Sequence, residues 1–317
     1  MSLGIVILVL VLLPPIFPTY LILLLTQSLI FCIVAMSLDL LIGYTALGAL
    51  GHGAFFAIGA YTTAILTTRY GQGFLACFVL SVGLAAVMSG LLAFIALRAT
   101  GIYFLLISLA IAMCIWGVAF QWVSVTGGDN GLTGIERPDF IINLSNNMIY
   151  YYFVLVAFSA CFTLMILLIR SPFGRTMVGI RDSALRMQVL GYNTWLHRYL
   201  AFVIAGAFAG LAGVLYAYYN SYVSPNDGDL ALCFKLVLMV TIGGPGSLIG
   251  AGIGAFIITF LENILSTLTD RYLILIAFVY VISAMYAPEG ILGVLKKLSG
   301  RFENRGNRPE GAGVEVK

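Results

Sequence analysis

Apolar residues fall in long blocks along the chain, near 3–17, 20–42, 53–69, 74–97, 102–121, 149–169, 199–220, 231–244, 248–267 and 272–288, separated by short Gly, Pro or charged punctuation. Stretches such as 141–169 and 230–260 carry few charges and reach the ~20 residues a helix needs to cross hydrocarbon. The pattern predicts an all-α polytopic membrane protein with about eight to ten transmembrane or re-entrant helices. The block at Met1–Leu13 lacks a basic leader and reads as a first span rather than a cleaved signal peptide. Residues 1–295 form a single membrane domain in this reading, and 296–317 a basic, disordered tail.

Composition agrees. Of 317 residues 61% are hydrophobic and 9% charged, with a mean hydropathy of +1.05, against roughly a quarter charged in an ordinary soluble domain. The distribution of charge then orients the chain. Arg170, Arg175, Arg181, Arg186 and Arg198 face one acid, Asp182, and the tail carries Lys296, Lys297, Arg301, Arg305 and Arg308. Both segments are cytoplasmic by the positive-inside rule. The stretch 124–147, with Asp129, Glu136 and Asp139 against Arg137, suits the outer face. Counting spans from Arg98 returns the loop 170–198 and the tail to one side. Basic residues here orient a protein in a lipid bilayer and give no case for nucleic acid.

Two blocks are interrupted by glycine: Gly43 to Gly53, which contains Gly51 and His52, and Gly243 to Gly254, which contains Gly244, Pro245 and Gly246. Broken backbone at membrane depth persists only against protein or a wet cavity, and paired breaks point to a transport path between two repeats. The same segments read equally as interfacial turns. Gly206, Gly210 and Gly213 place small residues on one helix face, a packing pattern. Asp39, Lys235 and Glu262 lie in apolar blocks, where charge is costly and directed to a partner or a water-filled path. Asp39 is about one turn from Gly43, and Lys235 can snorkel toward Asp227 and Asp229.

Catalytic chemistry is not legible. His52 and His197 fall in two different connecting segments, so no metal centre is predicted, and the five cysteines lie in apolar blocks without CxxC spacing. No lysine sits in a GxxxxGK[ST] setting. Any ATP hydrolysis therefore belongs to another subunit, and this chain itself binds no cofactor. Between Arg170 and Arg198, Ser171 and Pro172 end a span. Asp182 or Ser183 caps a short helix that Gly191 closes, with Leu185, Met187, Val189 and Leu190 as its apolar surface.

Six blocks, GYTALGALGHGAFFAIGAY (43–61), TGGDNGLTGI (126–135), RDSALRMQVLGYN (181–193), AFVIAGAFAGLAGVLYAYYNSYVSP (201–225), IGGPGSLIGAGIGA (242–255) and APEGILG (287–293), are spread along 40–295. In this order they resemble the permease subunits of branched-chain amino acid ABC transporters, of the LivM/LivH type and closer to LivM. The resemblance implies a type I importer in a bacterial inner membrane, with a second LivH-like permease subunit, two cytoplasmic ATPase subunits that bind ATP and Mg, and an extracytoplasmic binding protein. It also implies that 181–193 is the ATPase-coupling helix, with Arg181, Asp182, Arg186, Gly191 and Tyr192 at its contact, and that the two glycine segments lie beside the path. Where many members carry an acid and two alanines, this chain has Ala184, Leu185, Arg186 and Met187. Urea and short-amide permeases carry similar blocks, and an ion-coupled secondary transporter using Asp39, Lys235 and Glu262 is the alternative of a different class.

Overall fold

The computed structural model describes residues 18–137, 144–269, 271, 274–279, 290, 291 and 293. The expected span at 3–17, the basic tail at 296–317 and most of 272–288 lie outside the described residues. Nine helices of 14 or more residues are described: α1 (Thr19–Thr45), α2 (His52–Tyr70), α3 (Phe74–Ala96), α4 (Ile102–Gln121), α5 (Asn147–Arg170), α6 (Pro172–Val189), α7 (Thr194–Asn220), α8 (Leu230–Gly243) and α9 (Leu248–Leu268). Residues 274–279 are also helical. Six of the nine, α1, α3, α4, α5, α7 and α9, are long and apolar enough to cross a membrane.

The centre of the molecule is α1, buried along almost its whole length. It packs along α5, α7, α8 and α9. A helix surrounded by protein has no water for its polar side chains, so Thr26, Ser28, Ser37 and Thr45 each donate to a carbonyl of their own helix at 2.7–2.8 Å. The glycine face of α7 does what its spacing predicts. Gly206 lies on Ser89 and Gly210 on Ala85 of α3, while Gly213 lies on the Phe56 carbonyl and Ala60 of α2. Without Cβ atoms the three backbones approach closely, which maximises dispersion contacts where lipid offers no hydrophobic driving force.

α2 runs parallel to α7, and its start is sunk between α1, α4 and α8. Gly51 sits against the Ser108 carbonyl, Gly53 against Cys233, and His52 Nε2 is 2.7 Å from Ser37 Oγ. α8 has 14 residues, about 21 Å at 1.5 Å per residue, too short to cross a ~30 Å hydrocarbon core. The expected span at 231–244 is therefore a partial one. Asp229 caps its start, accepting from Leu232 N at 2.8 Å, and Gly244 ends it.

Residues 122–137, which follow α4, hold more structure than their polarity suggests. Leu132–Thr133 (β1) pairs antiparallel with Tyr222–Val223 (β2), the one strand pair among the described residues. Arg137 clamps the end of α7, donating from Nε to the Tyr218 carbonyl at 3.1 Å and from Nη2 to the Tyr219 carbonyl at 3.3 Å. Its guanidinium lies 4.5 Å over the Tyr150 ring. A cation on the last carbonyls of a helix satisfies orphan acceptors and opposes the helix dipole. This residue entered the sequence reading only as a charge.

Four further expectations need correction. Ser171 and Pro172 begin a helix as well as ending one: Ser171 Oγ accepts from Gly174 N at 3.3 Å and Pro172 takes the first helical position, where its missing N–H is no loss. The two glycine breaks are shorter than the motifs, because Gly43 is still in α1 and Gly250, Gly252 and Gly254 are in α9, leaving 46–51 and 244–247 outside helices. His52 and His197 stand in α2 and α7, not in loops. Lys235 lines one cavity with Asp227 and Asp229 but forms its ion pair with Glu262 of α9.

Candidate functional site

Two regions gather the charged and glycine residues, one at each end of α8 and α9. The first lies beside α6. Gly43 near the end of α1 packs on the backbone of Gly246 in the α8–α9 turn, and a Cβ at Gly43 would fall on Gly246 N and Asp39 Oδ1. That closeness lets Asp39 Oδ1 accept from Gly246 N at 2.7 Å. From α6, Arg181 donates through Nη1 to the Gly43 carbonyl at 2.9 Å, while its Nε lies 3.2 Å from Asp182 Oδ1. Gly246 has φ +84°, a conformation that glycine adopts freely. Gly244 is buried against Gly290, Gly243 against Gly250, and Pro245 is exposed.

α6 itself is two helices joined at Ser183, whose φ of −163° and ψ of 102° break the spiral. Ser183 Oγ accepts from Arg186 N at 3.3 Å, so the second piece is capped as its sequence predicts. It closes at Gly191, with φ +87°, where Tyr192 N donates to the Met187 carbonyl at 3.0 Å and Gly191 N to the Gln188 carbonyl at 2.9 Å. That bond pair is the Schellman closure, which needs a left-handed residue at the glycine position. Met187 folds back over Gly179. Arg186 points to solvent, and Leu185, Val189 and Leu190 are 73%, 81% and 70% exposed.

The second region is a cavity of about 560 Å³ at the opposite end of α8 and α9. Its charged wall is Lys235 of α8 and Glu262 of α9, which form an ion pair. Lys235 Nζ also lies 4.3 Å over the ring of Phe31. Phe31, Phe56 and Tyr216 stack among themselves with centroids 5.1–6.1 Å apart. Tyr216 donates to Asp227 Oδ1 at 3.0 Å, and Asp227 Oδ2 accepts from Ser224 N at 2.8 Å. Burial pushes the Asp227 carboxyl above its ordinary range, and the bonds from Ser224 and Tyr216 pull it back. Among the described residues no group of three or more His, Cys, Asp or Glu side chains could hold a metal.

Lys235 and Glu262 are thus brought together, whereas Asp39 belongs to the other region. None of Gly43, Gly51, His52, Gly53, Gly243, Gly244, Pro245 or Gly246 is among the residues lining the cavity. The pairing of Lys235 with Glu262 left no local signal, because the two sit on different helices.

A bundle of membrane-length helices, a partial helix beside a charged cavity and an amphipathic helix across one end define a polytopic membrane transport protein. The model of the family described as "Branched-chain amino acid transport system / permease component" matches residues 20–287, and the chain belongs to that family. It is 28% identical over 291 residues to the high-affinity branched-chain amino acid transport system permease protein LivM of Escherichia coli (strain K12), covering 84% of this chain and 68% of that protein. To LivH of the same organism it is 26% identical over 281 residues, covering 83% of this chain and 91% of the relative. A shorter similarity, 31% over 118 residues and 35% of this chain, links it to the autoinducer 2 import system permease protein LsrC of Escherichia coli O9:H4 (strain HS). No solved structure matches.

Proposed function

We propose that this chain forms half of the translocation path of an ATP-driven importer for branched-chain amino acids in a bacterial inner membrane. The other half is a second, LivH-like permease chain. Two cytoplasmic ATPase subunits bind the ATP and Mg, and an extracytoplasmic protein delivers the solute. The α6 end and the chain's tail face the cytoplasm.

The second piece of α6 is the observation that carries this reading. A helix holding Arg175, Arg181, Asp182 and Arg186 does not enter hydrocarbon, so the exposed Leu185, Val189 and Leu190 beside it are not buried in a hydrocarbon core. An apolar patch of that kind marks a protein contact, and a groove on the ATPase is its occupant. Movement of the docked piece reaches the membrane through Arg181, which holds Gly43, and from there through Gly246, which is bonded to Asp39. The glycine segments act beside the path as a close-packed joint between helices.

The ion-coupled alternative needs Asp39, Lys235 and Glu262 to exchange protons or ions, and Asp39 is held at the far end of α8 and α9 from the other two. In proteoliposomes containing the whole transporter, Gly191→Ala or Asp182→Lys is expected to leave assembly intact while ATP is hydrolysed without uptake. Normal coupling in both variants removes the docking assignment, and uptake by the chain alone, driven by a proton or sodium gradient, removes the importer.

A further inference from the structure

The cavity at the end of the molecule opposite α6 combines three features that the docking mechanism does not use. It holds an ion pair between α8 and α9. It holds an aromatic wall of Phe31, Phe56 and Tyr216. Its volume of about 560 Å³ lies in the ~300–1,000 Å³ range of small-molecule sites. Charges inside a membrane protein pair with one another or face a water-filled space, and the side chains of Lys235 and Glu262 do both, being 16% and 24% exposed and open on this cavity.

We propose that this cavity is a binding station for zwitterionic, apolar α-amino acids on the path, with Lys235 taking the carboxylate, Glu262 the ammonium, and Phe31 and Phe56 the side chain. The proposal rests on the importer reading and deepens it. An ammonium and a carboxylate on one carbon present opposite charges a few ångströms apart, the pattern an ion pair presents in mirror order. Insertion of the solute exchanges one Lys235–Glu262 contact for two charge-assisted ones. The ring of Phe31, already under the Lys235 ammonium at 4.3 Å, holds that side chain at the mouth of the apolar wall. Asp229, also in the lining, leaves the cavity with an excess of negative charge, which favours entry of the solute ammonium first. Urea and short amides carry no net charge on either end and gain nothing from opening the pair, so the wall selects against them.

The purified transporter, in nanodiscs and without its binding protein, is titrated with tritiated leucine at millimolar concentration. Competition then uses 3-methylbutylamine, which lacks the carboxylate, 4-methylpentanoate, which lacks the ammonium, and urea. Wild type is expected to bind leucine at least about tenfold better than either analogue and to ignore urea, since each lost charged contact is worth about a factor of ten. Lys235→Gln should weaken leucine and 4-methylpentanoate and spare the amine; Glu262→Gln should weaken leucine and the amine and spare the acid. The exchanged pair, Lys235→Glu with Glu262→Lys, keeps an ion pair for folding and should still lose leucine binding about tenfold. Undisplaceable leucine, equal loss of all ligands in both single variants, or full leucine binding in the exchanged pair overturns the proposal. If those failures occur while ATP-driven leucine uptake by wild type persists, the importer reading stands and only this site falls.

Discussion

The two ends of α8 and α9 are built on opposite plans. Beside α6, Gly43 and Gly246 touch backbone to backbone, and a carboxylate and a guanidinium from two other positions close on them. At the far end the same helices diverge around a cavity whose charged residues meet only through side-chain tips. A close-packed junction transmits a displacement because nothing in it can yield. A cavity lined by long side chains accepts a ligand because they can. On the function and the site proposed above, one helix pair carries both a mechanical input and a binding wall.

The largest expected effect is at the junction. Gly43→Ala places a methyl on the Gly246 backbone and on the Asp39 carboxylate, combining overpacking with loss of a buried charged hydrogen bond, about 3 kcal/mol or more. The purified transporter should assemble poorly and melt well below wild type; wild-type yield and melting would break the comparison. Arg181→Met comes next. It removes the bond to the Gly43 carbonyl from a residue that is 38% exposed, so the stability loss stays under about 1 kcal/mol. The solute moved per ATP is expected to fall severalfold, and an unchanged ratio would mean that the contact transmits nothing. Smallest for transport is Tyr216→Phe in the cavity wall, which touches no part of the junction and removes one hydrogen bond to Asp227, about 1 kcal/mol. Asp227 keeps its bond from Ser224 N, and thermal melting should shift only slightly. A collapse as severe as that of Gly43→Ala would show that the cavity is as rigid as the junction.

What could be read in the sequence depended on how far apart the interacting residues lie. The long apolar blocks that fall within the described residues and the glycine stripe of α7 are local patterns, and they appear in the structure within a few residues of where the sequence predicts them. The cap at Ser183 and the closure at Gly191 are local too, since each needs only the residues within a turn. The first half of α6 was missed because a Ser-Pro pair was taken as a stop, although the same serine caps the next helix. Both glycine segments drew notice for their composition, yet the contact of Gly43 with Gly246, and the bond from Gly246 to Asp39 across 207 positions, has no local trace. Lys235 was matched with the acids nearest in sequence, when its partner stands on a neighbouring helix. Six helices were legible as apolar length; the short β1–β2 pair and the Arg137 clamp depend on tertiary packing and were not.

The shortness of α8 has an electrical consequence. A helix of about 21 Å beside a water-accessible cavity leaves the insulating part of the protein thinner than the bilayer around it, so the transmembrane voltage falls over a shorter distance and the local field is steeper there. Moving one elementary charge through the full voltage costs about 2.3 kcal/mol per 100 mV. A solute whose two charges cancel does no net work against that field. If the path runs past Lys235 and Glu262 as proposed, the barrier there is thin without being a route for ions.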